Sequence, residues 1–331
     1  MFDHYISVDW AQKNMAIARM TRCAKTASVI DVAADVKELQ LYLEKLSGKK
    51  ILTIEETTTS QWLYTELKSY VDEILVCDPY RNKLLNEGSK TDKIDAIKLV
   101  QLLRAGLLKP VFHSGDEFIY LRKIVSGYDD LIKSGVKLKN QRSALFRAKG
   151  IKKQDAQLEL PAEKFVLLGL DKGIAEYEKE KERYEKEFES LVKKHNIISC
   201  LKSIPGIGAI SAVKIAAIVV DAKRFPTKGH FFAYCGLIKH EKMSGGRSYG
   251  KRSPRYSRAL KSVFKVCTLA AIGENKNNPI RAYYDYLLDQ KKYSDHNARH
   301  ATCRWIATLT LSVMKAKKKY HSKRSWECKT A

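Results

Sequence analysis

The stretch Lys90-Thr91-Asp92-Lys93-Ile94-Asp95-Ala96 decides how the N-terminal part of this chain is interpreted. Helical periodicity fits residues 92–103, so Asp92 and Asp95 stand at the start of a predicted helix. At this spacing both carboxylates leave the same helix face, about one turn apart. Two oxygen ligands placed in this way can hold Mg²⁺, which prefers carboxylates and phosphate oxygens.

Two further acids follow strand-like runs upstream. Asp9 ends the apolar run 5–9, and Glu55 follows the run 51–54. Ligands collect at the carboxyl ends of strands in open α/β sheets, so we expect all four acids to converge on one Mg²⁺ site. The remaining pattern of residues 1–112 predicts a mixed sheet covered on both faces. Further strands are predicted at 15–20 and 73–77, and helices that would cover the sheet are predicted at 36–46 and 61–70.

The charge of the chain is strongly uneven. The formal net charge is +24 over 331 residues. Residues 201–331 carry 27 Lys and Arg against 7 Asp and Glu, whereas residues 1–200 carry 34 against 30. A basic C-terminal part of this kind indicates a polyanionic partner.

Three absences narrow the class of protein. The 7 cysteines form no C-x-x-C pair, which argues against a zinc site or a disulfide framework and fits a reduced cytosol. No apolar run approaches the roughly 18 residues of a membrane span. Met1-Phe2-Asp3-His4 lacks the basic start of a signal peptide. We therefore expect a cytoplasmic protein with no membrane partner.

Residues 113–200 are predicted to be helical. Within them, apolar side chains recur at alternating spacings of three and four, which is a heptad seam interrupted by one lysine. This seam predicts a long antiparallel helical hairpin or a dimerising coiled coil, and a solvated spacer is the plainer alternative. Its members are Ile174, Tyr177, Lys181, Tyr184, Phe188 and Leu191.

Residues 201–331 are predicted to be mainly helical. The turn Pro205-Gly206-Ile207-Gly208 opens a helix that ends near residue 220. A turn-rich stretch follows at 236–254 and contains Ser244-Gly245-Gly246-Arg247. Helices follow at 256–272, 279–290 and about 297–319, the second with Asn278 as its cap and Pro279 at its first position.

These motifs, in this order, resemble the DEDD transposases of bacterial insertion sequences, relatives of the pilin-gene invertases. The similarity spans nearly the whole chain, and the run Lys-Thr-Asp-x-Ile-Asp-Ala is its most specific part. The resemblance implies a RuvC-like (RNase H-type) domain over 1–112, a helical coiled-coil linker over 113–200 and a mainly α transposase domain over 201–331. It also implies a bacterial, nucleoid-associated protein and, in the insertion-sequence members, a structured guide RNA called the bridge RNA.

Two departures from the family pattern bear on the site. The family's Glu is usually followed by a small residue, Thr and Gly, whereas Glu55-Glu56-Thr57-Thr58 lacks the glycine. Glu55 matches the register, and Glu56 stays open as the alternative. After the Ser-Gly-Gly turn, residues 254–261 replace the usual Lys-x-Gly-Asn stretch.

The acids have a chemical interpretation and an ordinary one. Four clustered carboxylates repel one another unless a metal or a proton intervenes. With Mg²⁺ they would bind a scissile phosphate and stabilise the attacking and leaving oxygens. In the ordinary interpretation Asp92 and Asp95 cap a helix start, Asp9 ends a strand, and Glu55 is one of an exposed pair.

Ser244 is the predicted nucleophile, and a covalent phosphoserine link would conserve the phosphodiester energy for rejoining. Glycines 245 and 246 permit a φ > 0 turn that exposes the hydroxyl and lets a phosphate approach the backbone. Since no histidine base is adjacent, the carboxylate cluster would activate the hydroxyl. A plain polar turn is the alternative. The basic side chains that could neutralise the phosphate are Arg247, Lys251, Arg252 and Arg255.

Gly206 and Gly208 lie in a turn that resembles those of helix-hairpin-helix elements, whose backbone N–H groups face phosphates. A tight turn that permits close helix packing explains the same residues equally well.

The sequence thus predicts a DNA recombinase, either a transposase or a site-specific invertase, acting on double-stranded element ends and target. Strand exchange needs several active sites, so we expect a dimer or tetramer held through the seam 174–191. The alternatives are a junction-resolving nuclease that uses water in place of Ser244, and a non-catalytic nucleic-acid-binding protein.

Overall fold

The structure is a computed structural model, and it describes residues 1–79, 91–111, 117–151, 160–273 and 278–321. Lys90 and the expected boundary at residue 112 lie outside these ranges. The chain divides into two compact units, Met1–Asp116 and Glu117–Ala331. Within the described ranges, no helix is both long and apolar enough to cross a membrane.

The first unit contains a five-stranded mixed sheet of order β3-β2-β1-β4-β5. Strands β1, β2 and β3 pair antiparallel, whereas β4 pairs parallel with β1 and with β5. The predicted mixed sheet is therefore confirmed. The strands are β1 (His4–Trp10), β2 (Asn14–Thr21), β3 (Ser28–Ala33), β4 (Lys50–Glu55) and β5 (Glu73–Cys77).

Alternation along β1 separates the two faces of the sheet. Ile6 and Val8 enter one core, together with helices α1 (Val36–Glu44) and α2 (Ser60–Leu67). Ser7 points to the other face, where its Oγ donates to the backbone oxygen of Ala96 at 2.6 Å. Ala96 belongs to helix α3 (Asp92–Arg104), which covers that face.

Strand β3 is the main difference from the sequence prediction for this unit. Its six residues show no buried side chain, and it pairs with β2 alone at the edge of the sheet. An edge strand can be held by backbone hydrogen bonds to one neighbour, so it does not need the alternating apolar residues by which strands are found in a sequence.

The second unit is built on two long helices, α4 (Glu117–Arg147) and α5 (Pro161–Lys194). The shorter helices are α6 (Asn196–Lys202), α7 (Ala209–Val219), α8 (Lys228–Tyr234), α9 (Arg258–Gly273), α10 (Pro279–Asp289) and α11 (Asp295–Ala316), with a 3₁₀ turn at Ala222–Arg224. The predicted start of α10 is confirmed, because Asn278 Oδ1 accepts from the N–H of Ile280 at 2.9 Å.

One hydrophobic core runs through this unit. Leu121 of α4 and Phe188 of α5 are buried in the same cluster as Val213 of α7 and Phe264 of α9. Helices α4 and α5 of the expected linker therefore share a core with the helices of residues 201–331.

The predicted heptad seam lies inside an antiparallel hairpin of α4 and α5. Tyr128 of α4 contacts Phe188 with ring centroids 5.1 Å apart, and it contacts Tyr184 at 5.8 Å. Farther along the hairpin, Arg142 Nε donates to Asp171 Oδ1 at 2.6 Å. The expectation of a dimer held through this seam is therefore wrong, because the seam is covered by α4 of the same chain.

Two glycines of α4 make room for the tyrosines of α5. A Cβ added at Gly127 would lie 2.5 Å from the Tyr184 hydroxyl, and one added at Gly135 would overlap the buried Tyr177 ring. The close approach of the two helices therefore depends on the missing side chains.

We expect Gly135→Ala to lower the free energy of unfolding by about 1–3 kcal/mol, because the methyl group overpacks against the Tyr177 ring. Gly169→Ala is the matched control. It also lies within a long helix, but a Cβ there meets nothing within 4 Å. It should stabilise by about 0.5–1 kcal/mol through helix propensity. Urea unfolding measures both, and equal stabilisation by the two variants would contradict this packing.

Candidate active site

Asp9 and Glu55 lie side by side at the carboxyl ends of two parallel strands. In the pairing of β1 with β4, Val8 is level with Ile54, so the residue after each lies at the same height. Val8 and Ile54 enter the core under α1 and α2. Because side chains alternate along a strand, Asp9 and Glu55 face the opposite side, which α3 covers.

Helix α3 brings Asp92 and Asp95 to the same edge. Its N-cap is Thr91, whose Oγ1 accepts from the N–H of Ile94 at 3.3 Å. Thr91 therefore makes the capping hydrogen bond that the ordinary interpretation assigned to the two aspartates. Both carboxylates still lie in the first turn, where negative charge suits the helix dipole.

Asp9 and Glu55 are affected by the charges of the neighbouring acids. Burial raises the pKa of Asp9 to about 6, and the charges of Asp92 and Asp95 contribute to the rise. Burial also raises the pKa of Glu55, with contributions from Asp9 and Asp95. The structure therefore gathers the four predicted acids, which come from three separate parts of the sequence, at one edge of the sheet. We call them the carboxylate cluster.

The cluster suits a cation by its chemistry. Asp95 Oδ1 is buried and has no hydrogen-bond partner among the described residues. Oxygen ligands and concentrated negative charge are what Mg²⁺ requires. In the described part of the chain, however, no three His, Cys, Asp or Glu side chains are arranged to hold a metal ion as they stand. Convergence of the four acids on one metal ion therefore stays a prediction.

Glu55 and Glu56 differ clearly in their surroundings. Glu55 is half-buried and interacts with the charges of Asp9 and Asp95. Glu56 is exposed, and its backbone N–H donates to the carbonyl of Cys77 at 2.9 Å. Of the two alternatives that the sequence left open, the geometry favours Glu55.

We expect Asp9→Asn to stabilise the metal-free protein at high pH. Asp9 has a folded-state pKa of about 6 against an ordinary value of 3.8, so its charge destabilises the fold above pH 6 and the effect fades as pH falls to about 4. Because the side chain is partly exposed to water, which screens the repulsion, we expect a gain of about 1 kcal/mol at pH 8.

Thermal unfolding in EDTA at pH 8 and pH 4 measures this gain. Glu44→Gln, at an exposed position of α1, is the control and should change stability little at either pH. A loss of stability in Asp9→Asn at pH 8 would show that the carboxylate is held by favourable contacts rather than by the surrounding fold.

Ser244 lies at the tip of a β-hairpin in the second unit. Strands β6 (His240–Ser244) and β7 (Arg247–Arg252) pair antiparallel, and Ser244 is opposite Arg247. The turn between them is Gly245-Gly246, with φ of 54° and 76°. Two consecutive positive φ values are typical of tight hairpin turns, and glycine adopts them without strain.

This hairpin replaces the turn-rich stretch expected at 236–254. All residues of both strands are exposed, including the side chains predicted to bind nucleic acid. Because neither face of the hairpin is buried, its strands carry no apolar alternation that would have predicted them. Arg247, Lys251 and Arg252 lie on β7, and Arg255 follows it before α9.

Gly206 and Gly208 have different surroundings. Gly206 has φ of 82°, and an added Cβ would lie 2.6 Å from the Cβ of Ala271 and would also collide with the backbone of α9. Gly208 is exposed, and a Cβ added there would meet nothing within 4 Å. For Gly206 the geometry favours the close-packing alternative.

Known transposases match both units. A transposase model of the DEDD type from IS110 elements matches residues 6–149. A model described as the transposase IS116/IS110/IS902 family matches residues 198–285. The chain is therefore similar to IS110-family transposases in both of these regions. The carboxylate cluster lies in the first matched region, and Ser244 lies in the second.

Two named relatives show how far the likeness extends. An uncharacterised 43.6 kDa protein of insertion element IS110 from Streptomyces coelicolor is 29% identical over 121 residues, which cover 36% of this chain and 29% of the relative. The transposase of insertion sequence element IS1111A from Coxiella burnetii is 23% identical over 243 residues, covering 69% of this chain and 64% of the relative. The chain thus matches less than two thirds of the length of either relative.

Two tryptophans at the edge of the sheet had no motif to mark them. Trp10 directly follows Asp9, and Trp62 lies in the first turn of α2, shortly after Glu55. In the sequence, only their positions shortly after Asp9 and Glu55 could have drawn attention to them. Those positions indicate a shared location only once β1 and β4 are known to be paired.

Proposed function

We propose that this chain is the recombinase of an insertion-sequence element, cutting and rejoining double-stranded DNA at the element ends and the target. The observation that carries the proposal is the carboxylate cluster. Burial and the neighbouring acids raise the pKa of Asp9 and of Glu55 at a strand edge, and one buried oxygen of Asp95 has no partner among the described residues. The mixed sheet and the IS110-family domains support a RuvC-like assignment for the first unit.

Asp9, Glu55, Asp92 and Asp95 would hold Mg²⁺. A bound cation would supply positive charge for the scissile phosphate and for the attacking and leaving oxygens. The protein's own contribution is to keep the four carboxylates on a rigid sheet edge and helix start. Because charged Asp9 is costly in the metal-free fold, a cation should bind with release of protons below about pH 6.

Ser244 would attack the phosphorus of one DNA strand. A bond would form between Ser244 Oγ and phosphorus, and the bond from phosphorus to one deoxyribose oxygen would break, leaving a free hydroxyl on the DNA. The exposed tip and the Gly-Gly turn support this role, since they leave the hydroxyl accessible. The side chain of Arg247 across the turn would balance the negative charge of the phosphate.

The basic hairpin would contact the DNA. A two-stranded ribbon with neither face buried is marginally stable in water, and the major groove admits such a ribbon. Backbone N–H groups of Gly245 and Gly246 would add contacts to the phosphate. The cationic residues proposed for DNA are Arg247, Lys251, Arg252 and Arg255.

We further propose a structured guide RNA as a second nucleic-acid partner and a dimer or tetramer as the working form. Strand exchange requires several active sites. Because the 174–191 seam is covered within the hairpin of α4 and α5, contacts between chains would use other surfaces.

A trapping assay tests the proposal. The full chain is incubated with DNA carrying element ends, with co-purifying RNA, and with either Mg²⁺ or EDTA, and the products are separated on a denaturing gel. We expect a covalent protein–DNA adduct with Mg²⁺ and none with EDTA. Free DNA ends without an adduct would instead indicate the nuclease, in which water attacks.

A further inference from the structure

An aromatic pair lies at the same end of the sheet as the carboxylate cluster, on the other face. The rings of Trp10 and Trp62 contact edge to face, with centroids 5.4 Å apart and an interplanar angle of 82°. The side chain of Trp62 is 43% exposed. We infer that Trp62 is a base-stacking residue, on which an unpaired base of the DNA strand processed at the cluster stacks. This inference rests on the proposed function, because it takes DNA as the substrate.

The fold places the aromatic pair and the acids on opposite faces of one strand end. Asp9 and Trp10 are consecutive in β1, so their Cα atoms are about 3.8 Å apart and their side chains point to opposite faces. Helix α2 begins soon after Glu55 ends β4, and it brings Trp62 against Trp10. A DNA strand that has its phosphate at the carboxylates and crosses this end of the sheet would therefore bring a neighbouring nucleotide to the aromatic pair.

The Trp62 ring is held in place before any ligand binds. Trp10 packs against the core that contains Val8, and Leu63 and Leu67 anchor α2 in that same core. Trp62 projects from the anchored helix and rests on Trp10. A ring fixed in this way loses little conformational entropy when a ligand stacks on it.

The surroundings of Trp62 fit a nucleobase better than a protein partner. Stable protein interfaces need an apolar centre within about 800 Å² of surface on each side. In the sequence, Trp62 is instead preceded by the polar residues Thr58, Thr59 and Gln61. A single exposed ring matches one planar base, and stacking tolerates any base because each has a π-face.

Binding of a short fluorescent oligothymidine to the full chain in EDTA tests the inference. We expect Trp62→Ala to raise Kd by about tenfold, within the range known for loss of one base–aromatic stack. The dependence of log K on log salt should be unchanged, since no charge is removed. Phe165→Ala is the control, because this aromatic of α5 is 80% exposed and lies in the other unit. It should leave Kd unchanged.

An oligomer of abasic nucleotides separates stacking from other contacts. Wild type should bind it about as weakly as Trp62→Ala binds oligothymidine, and the substitution should cost nothing further. Trp62→Phe and Trp62→Leu guard against a folding defect, because both keep an apolar side chain and only phenylalanine can stack. We expect phenylalanine to bind within about threefold of wild type and leucine to resemble alanine.

The inference is overturned if Trp62→Ala and wild type bind oligothymidine equally, or if phenylalanine and leucine behave alike. It is also overturned as stated if the substitution weakens only oligouridine, since the stacked base would then belong to RNA. Binding is measured without Mg²⁺ and without chemistry. A missing covalent adduct would therefore reject the proposed function while a Trp62-dependent Kd still establishes the base-stacking site.

Discussion

Ser244→Ala should abolish the covalent protein–DNA adduct and reduce strand joining by about 10³-fold or more. The substitution removes the oxygen that would bond to phosphorus, and loss of a nucleophile leaves only the catalysis supplied by binding and electrostatics. Because Ser244 is exposed at a hairpin tip, the thermal midpoint should stay the same. Adduct yield on denaturing gels measures the effect.

Ser248→Ala is the matched control for this prediction. Ser248 lies on β7 of the same hairpin and is also exposed. It is opposite Met243, whereas Ser244 is opposite Arg247 at the turn. It should leave adduct formation within about twofold of wild type. If Ser244→Ala forms the adduct normally, another nucleophile is at work. Cleavage that survives Ser244→Ala without any adduct in the wild type would support the junction-resolving nuclease.

Glu55→Gln should remove Mg²⁺-dependent activity by about 10³-fold. A catalytic metal contributes several kcal/mol to the transition state, and each 1.36 kcal/mol is a factor of ten in rate. The replacement has nearly the same shape but lacks the charge that repels Asp9 and Asp95. The metal-free variant should therefore be at least as stable as wild type, which separates loss of metal binding from loss of folding.

Glu56→Gln provides the matched control. It changes the neighbouring acid, which is exposed at the same strand end. We expect it to keep both the activity and the increase in thermal midpoint that Mg²⁺ gives to wild type, whereas Glu55→Gln should lose both. If Glu56→Gln loses the activity and the Mg²⁺-dependent increase in thermal midpoint while Glu55→Gln keeps both, Glu56 is the ligand. If neither changes the response to Mg²⁺, the cluster does not bind the metal.

Apolar periodicity and capping residues predicted most of the elements that are stabilised by residues nearby in the sequence. Strand β5 was predicted at 73–77 and is found at Glu73–Cys77. The helix after Asn278 begins where the cap and Pro279 indicated. In both cases the pattern of apolar residues or the capping side chain itself stabilises the element. The element can therefore be predicted without knowledge of tertiary contacts.

Elements without such a pattern were not predicted. Strands β6 and β7 expose all their side chains and β3 buries none of its own fully, so backbone pairing to a neighbouring strand defines these elements. The heptad seam of α5 predicted an apolar helix face but could not indicate what covers it. Gly127 and Gly135 of α4 decide that question, because they let the α5 tyrosines approach within the same chain.

For the candidate site, the sequence by itself determined the chemistry: two acids at strand ends and two in the first turn of a helix, within a chain carrying a basic C-terminal part. Only the tertiary structure decided that burial raises the pKa of Asp9 to about 6, that Glu55 rather than Glu56 faces the other acids, and that Trp62 packs on Trp10 at the same end of the sheet. The reason is physical. A side chain's type and its place in a strand or helix are local properties. Its pKa and its neighbours depend on burial and on charges that lie far away in the sequence and meet only when the sheet and helix pack.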